Sequence, residues 1–129
     1  MTRKRLTKEQ RKQVYDMFDG HCAYCGCELA LSEMQVDHIK SLYNGGADDM
    51  SNMFPACRSC NKYKSTLTLD GLRKALERMP SVLQRDSTTY RIAVRYGLII
   101  PNEHNVEFYF EKAMKADGGK SKCITKQKT

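Results

Sequence analysis

Cys22 and Cys25 are separated by two residues, and so are Cys57 and Cys60. A C-x2-C turn places two sulfurs on one side of an ion, and two such turns supply the four soft thiolates of a tetrahedral Zn²⁺ site. Gly26 provides the positive φ that a tight thiolate turn needs. Four thiolates leave no position for water, so the ion expected here is structural. A redox reading of C-x-x-C lacks the βαβ pattern that would support it. Two cysteines are left over. Cys27 competes with Cys25 as a ligand, with spacing favouring Cys25, and Cys123 is expected to be a bystander thiol.

The 31 residues between the pairs hold Val36-Asp37-His38-Ile39, Gly45-Gly46 and Asn52, and Asn61 follows Cys60 directly. Hydrolysis of a phosphodiester needs a water activated near neutral pH. Histidine is the side chain whose ordinary pKa suits that task. It also needs a cation for the charge that develops on the phosphoryl and leaving oxygens. Asp37 and Asn61 offer a carboxylate and an amide oxygen to a hard ion such as Mg²⁺, with Mn²⁺ or Ni²⁺ as alternatives. An ideal strand would face Asp37 and His38 opposite ways. The strand must therefore end there or bulge, and an irregular backbone is predicted at 37–38.

Taken together, Cys22-x2-Cys25, Asp37-His38-Ile39, Gly45-Gly46, Asn52 and Cys57-x2-Cys60-Asn61-x2-Lys64 resemble the HNH nuclease family over about residues 20–65. Asn61 stands where other members carry histidine. The resemblance implies an α+β fold with a ββα-metal (His-Me finger) core. It implies a metal-dependent DNA endonuclease with one catalytic divalent ion and products bearing 5′-phosphate and 3′-hydroxyl ends. His38 would be the general base, and Asp37 and Asn61 would hold the ion. Asn52 would orient the His38 segment through side-chain to backbone hydrogen bonds. Arg58, Lys62 and Lys64 would grip neighbouring phosphates. The alternatives are a zinc-stabilised nucleic-acid-binding module without catalysis, which would not need Asp37, His38 and Asn61 together, and a scaffold docked on a larger machine.

The elements that must position these residues are short. Thr7 and Gln10 have capping-box spacing, and Val14, Met17 and Phe18 repeat at helical period, so a helix is expected near 8–19, ended by Gly20. Met34–Ile39 and Met53–Ala56 read as strands, the second at an edge because of Pro55. Residues 44–49 read as a loop and Cys57–Ser65 as a short helix. Thr68 is a plausible cap for a helix near 69–79, stopped by Pro80. Another helix near 81–96 would bury Val82, Ile92, Val94 and Tyr96 before Gly97. Leu98–Ile100 and Val106–Phe110 are expected as short strands.

The chain's 129 residues suit one compact domain, 1–114, with its core at about 20–65, an appendage at 66–114 and a basic disordered tail at 115–129. Net charge is +7, concentrated at the two ends: residues 1–13 and 112–129 each carry +5, and the body between carries −3. Basic ends on a mildly acidic body suit a polyanion such as DNA. The basic, h-region-free beginning is not a secretory signal, and no apolar run is long enough for a membrane span. The cytoplasm is therefore expected, where cysteine pairs bind metal more often than they form disulfides. Residues 89–98 resemble free-standing phage and prophage HNH proteins, which implies DNA packaging as a setting and terminase or other packaging proteins as partners.

Overall fold

The computed structural model describes residues 5–116. They form two compact units, one made of the residues up to Leu69 together with those from Glu107, the other of Asp70–Val106.

The first unit begins with α1 (Lys8–Asp16). Its start is the expected capping box: Thr7 Oγ1 accepts from Gln10 N at 3.1 Å while Thr7 N donates to Gln10 Oε1 at 2.9 Å. The helix stops three residues earlier than expected, because Asp19 and Gly20 both turn to positive φ. Strands β1 (Gln35–His38) and β2 (Met53–Ala56) pair antiparallel, with His38 opposite Met53 and Gln35 opposite Ala56. Helix α2 (Arg58–Lys64) follows β2 directly, so the expected β-β-α order is present. Val14 from α1, Met34 and Met53 form one buried cluster, with Leu6, Leu29, Val36 and Met50 packed on it. A pleated strand gives one face to each side, so the alternate residue Phe54 belongs to a second cluster with Phe18, Ala23 and Ala113.

Ala113 belongs to α6 (Tyr109–Ala116), an element the sequence reading missed. Val106–Phe110 alternates like a strand but is not one. Glu111 Oε1 accepts from Phe108 N at 2.8 Å, which caps the helix at its third residue. Tyr109 N and Phe110 N then donate to Tyr24 O and Ala23 O at 3.0 and 2.8 Å, so the helix docks on the first cysteine turn. Phe108 and Phe110 stack with their ring centres 5.7 Å apart, and both meet Tyr24 edge-on.

The second unit holds α3 (from Leu69 to Glu77), α4 (Met79–Asp86) and α5 (Thr88–Arg95). Four expectations need correction here. Pro80 lies in the first turn of α4, where its missing N–H costs nothing, so it opens a helix rather than stopping one. The single helix expected at 81–96 is broken at Ser87, whose hydroxyl caps α5 by accepting from Tyr90 N. Of the residues expected to be buried there, Val94 is half-buried, whereas Ile92 and Tyr96 are exposed and Val82 sits at the margin of exposure. Leu98–Ile100 is exposed coil rather than strand. The unit closes on itself through Arg73 Nη1 to Val106 O and Val106 N to Glu77 Oε2, each 2.7 Å. No helix among the described residues is long and apolar enough to cross a membrane. Lys115 and Ala116, the first two residues of the expected disordered tail, are in α6, and the rest of that tail, with Cys123, lies outside the described residues.

Candidate active site and metal centre

The cysteine turns come together as their spacing predicts. The first is built on a small loop: Cys22 N donates to Cys27 O, Gly26 takes φ +82°, and Ala23 N ties the loop to β2 through Pro55 O. The second is the start of α2, where Cys57 is the N-cap and its sulfur accepts from Cys60 N at 3.3 Å. The four sulfurs of Cys22, Cys25, Cys57 and Cys60 lie within 4.8 Å of one another, with Cys25 and Cys57 3.9 Å apart. Zn–S bonds of about 2.3 Å in a tetrahedron put sulfurs roughly 3.8 Å apart, so the cluster fits a metal ion such as zinc. Its electrostatics fit too. Hydrogen bonding to Cys60 draws the Cys22 thiol down to about 4, and the same contact pushes Cys60 up. Four crowded thiols thus keep part of their proton load, which a divalent cation displaces. Cys27 is exposed and is not one of the four.

Asp37 and His38 close β1. Of the two alternatives the strand end is the one that occurs, and the irregular backbone predicted at 37–38 is absent: pairing is regular through Asp37 opposite Phe54 and His38 opposite Met53, where the strand ends. The two side chains do diverge. The Asp37 carboxylate, 5% exposed, receives the Tyr24 hydroxyl at 2.6 Å and the Lys64 ammonium at 3.1 Å, both on Oδ2. The His38 ring instead meets Asp48, with 2.9 Å between Nε2 and Oδ1. Both residues nevertheless border one open cleft of about 780 Å³, which Asn61 also lines, along with Arg5, Arg11 and Tyr43.

Lys64 is a correction. Expected to grip phosphate, it is fully buried at the end of α2, and its Nζ donates to His38 O at 3.0 Å as well as pairing with Asp37. No surface remains for DNA to reach. Its chemistry is internal: one cation joins the backbone of His38 to the side chain of Asp37. Arg58 and Lys62 are exposed on α2 as expected. The cysteine turns thus reach the cleft by two routes. Tyr24 sits inside the first turn, and burial together with the adjacent Asp37 raises its pKa, so the phenol keeps its proton and donates. Lys64 sits on the helix that the second turn begins. Replacing Lys64 with Met is expected to cost about 3 kcal/mol in denaturant unfolding, because Asp37 is left buried beside a single neutral donor. DNA affinity should be unchanged. A variant as stable as wild type but weaker on DNA would restore the phosphate role.

Asn52 makes the backbone contacts anticipated for it. Its Nδ2 donates to Lys40 O at 2.9 Å and Ala47 O at 2.8 Å, and its Oδ1 accepts from Lys40 N at 2.9 Å. Its own carbonyl accepts from Ile39 N. The loop between is tight enough to demand glycine. Gly45 takes φ +88°, and a Cβ on Gly46 would lie 1.8 Å from Lys40 O and 3.0 Å from Asn52 Nδ2. Gly46→Ala should therefore push Lys40 and Asn52 apart and lower stability by about 2 kcal/mol in a thermal or urea melt. An unchanged melting curve would show that the loop yields at no cost.

The sequence reading missed Tyr24 and Asp48. Tyr24 was visible only as a residue between two ligands, and Asp48 only as part of a loop signal. His21 is buried, stacks on Tyr109 at 5.4 Å and shares a hydrogen bond with Phe18 O; His104 is exposed. Several appendage cations are engaged at home. Arg91 binds Gln84 O and Arg85 O, and Lys74 pairs with Asp70.

Residues 22–67 match the family model described as HNH endonuclease. Over 67 residues the chain is 34% identical to a protein of Bacillus subtilis strain 168 named "SPbeta prophage-derived putative HNH endonuclease YoqL". That stretch covers 46% of this chain and 29% of the relative's length. The matched region contains both cysteine turns, β1, β2, α2 and every side chain named above as a candidate ligand or base.

Proposed function

We propose that the chain is a metal-dependent DNA endonuclease. The observation that carries this reading is the single cleft bordered by Asp37, His38 and Asn61, set on the ββα unit beside the four-cysteine cluster. A noncatalytic binding module has no need for a shielded imidazole and a buried carboxylate on the same cleft as an amide.

The donor sets suit two different ions. Cys22, Cys25, Cys57 and Cys60 would hold Zn²⁺ as a closed, structural site. Asp37 and Asn61, with oxygen atoms only, suit a hard divalent ion such as Mg²⁺, Mn²⁺ or Ni²⁺. Bound there, such an ion would supply positive charge for the phosphoryl oxygens and the departing 3′ oxygen. Tyr24 and Lys64 fix Asp37 beforehand, so no reorganisation of the carboxylate is needed when DNA arrives. His38 accepts the proton of the attacking water. The water oxygen bonds to phosphorus, the P–O3′ bond breaks, and its electron pair leaves with the 3′ oxygen, which takes a proton from solvent. Products carry 5′-phosphate and 3′-hydroxyl ends. Asn52 holds the backbone that follows His38. Arg58 and Lys62 on α2, with Arg5 at the cleft, neutralise neighbouring phosphates. A prophage setting is the biological context we infer from the relative's name; host cytoplasm and packaging proteins as partners are proposed from the sequence resemblance of residues 89–98 alone.

The test is to incubate zinc-loaded protein with supercoiled plasmid in Mg²⁺, Mn²⁺ or Ni²⁺, beside His38→Ala. Nicked or linear product from wild type alone supports the enzyme, and the nicked-to-linear ratio reads its cutting mode. DNA bound by both proteins and cut by neither would leave a zinc-stabilised binding module.

A further inference from the structure

We propose that Asp48 is the positioning residue that sets the His38 imidazole for proton abstraction at Nδ1. The proposal rests on the reading of His38 as general base. Asp48 Oδ1 lies 2.9 Å from His38 Nε2, with the imidazole 7% and the carboxylate 13% exposed. An ionised carboxylate only accepts hydrogen bonds. The neutral imidazole therefore carries its hydrogen on Nε2 and presents a lone pair on Nδ1. When the proton of water arrives at Nδ1, the ring becomes a cation, and the same carboxylate faces the new charge. Asp48 thus selects one tautomer of two and stabilises the product of the transfer.

The surroundings make this a built pair rather than a chance surface contact. Asp48 lies in a short loop anchored on both sides. Before it, Gly46 N donates to Ser41 O, and Gly46 packs against Lys40 O. After it, Asp49 O accepts from Asn52 N, and Asn52 is bonded three ways to Lys40 and Ala47. His38 is held from the other end by Lys64 Nζ at its carbonyl. Both backbones are fixed, so the ring needs only one contact to set its orientation. Asp37, the neighbouring acid, cannot serve, because its bonds run to Tyr24 and Lys64. The loop's glycines and Asn52 therefore serve one purpose, which is to deliver a carboxylate to the far nitrogen of the base.

The experiment compares zinc-loaded wild type with Asp48→Ala and the isosteric Asp48→Asn. Two-bond ¹H–¹⁵N correlation at about pH 8, above the usual imidazole range, reads which nitrogen of His38 carries the hydrogen. Plasmid cleavage reads kcat and KM. The wild type should show the Nε2–H form. Both variants should lose it in part or whole, with kcat down about 100-fold or more and KM no higher. Asp48→Asn keeps the side-chain volume, so a folded variant is at hand even if the alanine disturbs the loop. A wild-type ring with its hydrogen on Nδ1, or an Asp48→Asn enzyme within threefold of wild-type kcat, would overturn the proposal. The spectroscopic arm needs no turnover. If wild type cuts nothing, the endonuclease reading falls while the tautomer still decides whether Asp48 holds the ring.

Discussion

Cys57→Ser is expected to abolish cooperative folding of the unit that carries the cleft. Serine at this position still caps α2, since its hydroxyl can accept from the Cys60 backbone as the sulfur does at 3.3 Å. The substitution therefore removes a metal ligand and little else. The unit has two small apolar clusters and a two-stranded sheet of four residues each, too little to stand without a staple. Structural Zn²⁺ supplies about 10 to 16 kcal/mol of binding free energy in small finger peptides. Losing one of four ligands forfeits much of that against a marginal stability of about 5 to 15 kcal/mol. The expected observations are one zinc per wild-type chain by elemental analysis, less in Cys57→Ser, and a sharp thermal transition replaced by a broad one. Cys27→Ser should match wild type in both. A Cys57→Ser variant that melts as wild type does would remove the staple from the account.

His38→Ala should lower DNA cleavage by about 10²- to 10⁴-fold, the usual worth of a positioned general base, or about 3 to 5 kcal/mol of barrier. DNA binding by gel shift should be nearly unchanged, because Arg58, Lys62 and Arg5 remain. The substitution also removes a structural contact, since the ring is shielded and bonded to Asp48. The removed bond is worth about 1 to 2 kcal/mol of stability, and a melt measured beside the assay separates that loss from the loss of rate. Cleavage within tenfold of wild type would mean that some other group activates the water.

The one-dimensional pattern was enough for the elements with local causes. The Thr7–Gln10 capping box, the positive φ of Gly26, the β-β-α order and the pairing of Cys22-x2-Cys25 with Cys57-x2-Cys60 all depend on residues near in sequence or on ligand chemistry that spacing alone constrains. Helix α6 and the break at Ser87 were decided by single side chains, Glu111 and the Ser87 hydroxyl, whose capping competes with an apolar alternation that looks equally like strand or helix. Charge was the least legible property. A lysine in a basic run reads as surface, yet Lys64 is buried, because α2 lies against β1 and brings Asp37 and the His38 carbonyl to its ammonium across 27 and 26 residues of chain. Residue types and their spacing determined which atoms could do chemistry. The tertiary structure decided which partner each one meets, Tyr24 and Lys64 for Asp37 and Asp48 for His38, since those contacts depend on how loops return to the end of one short strand.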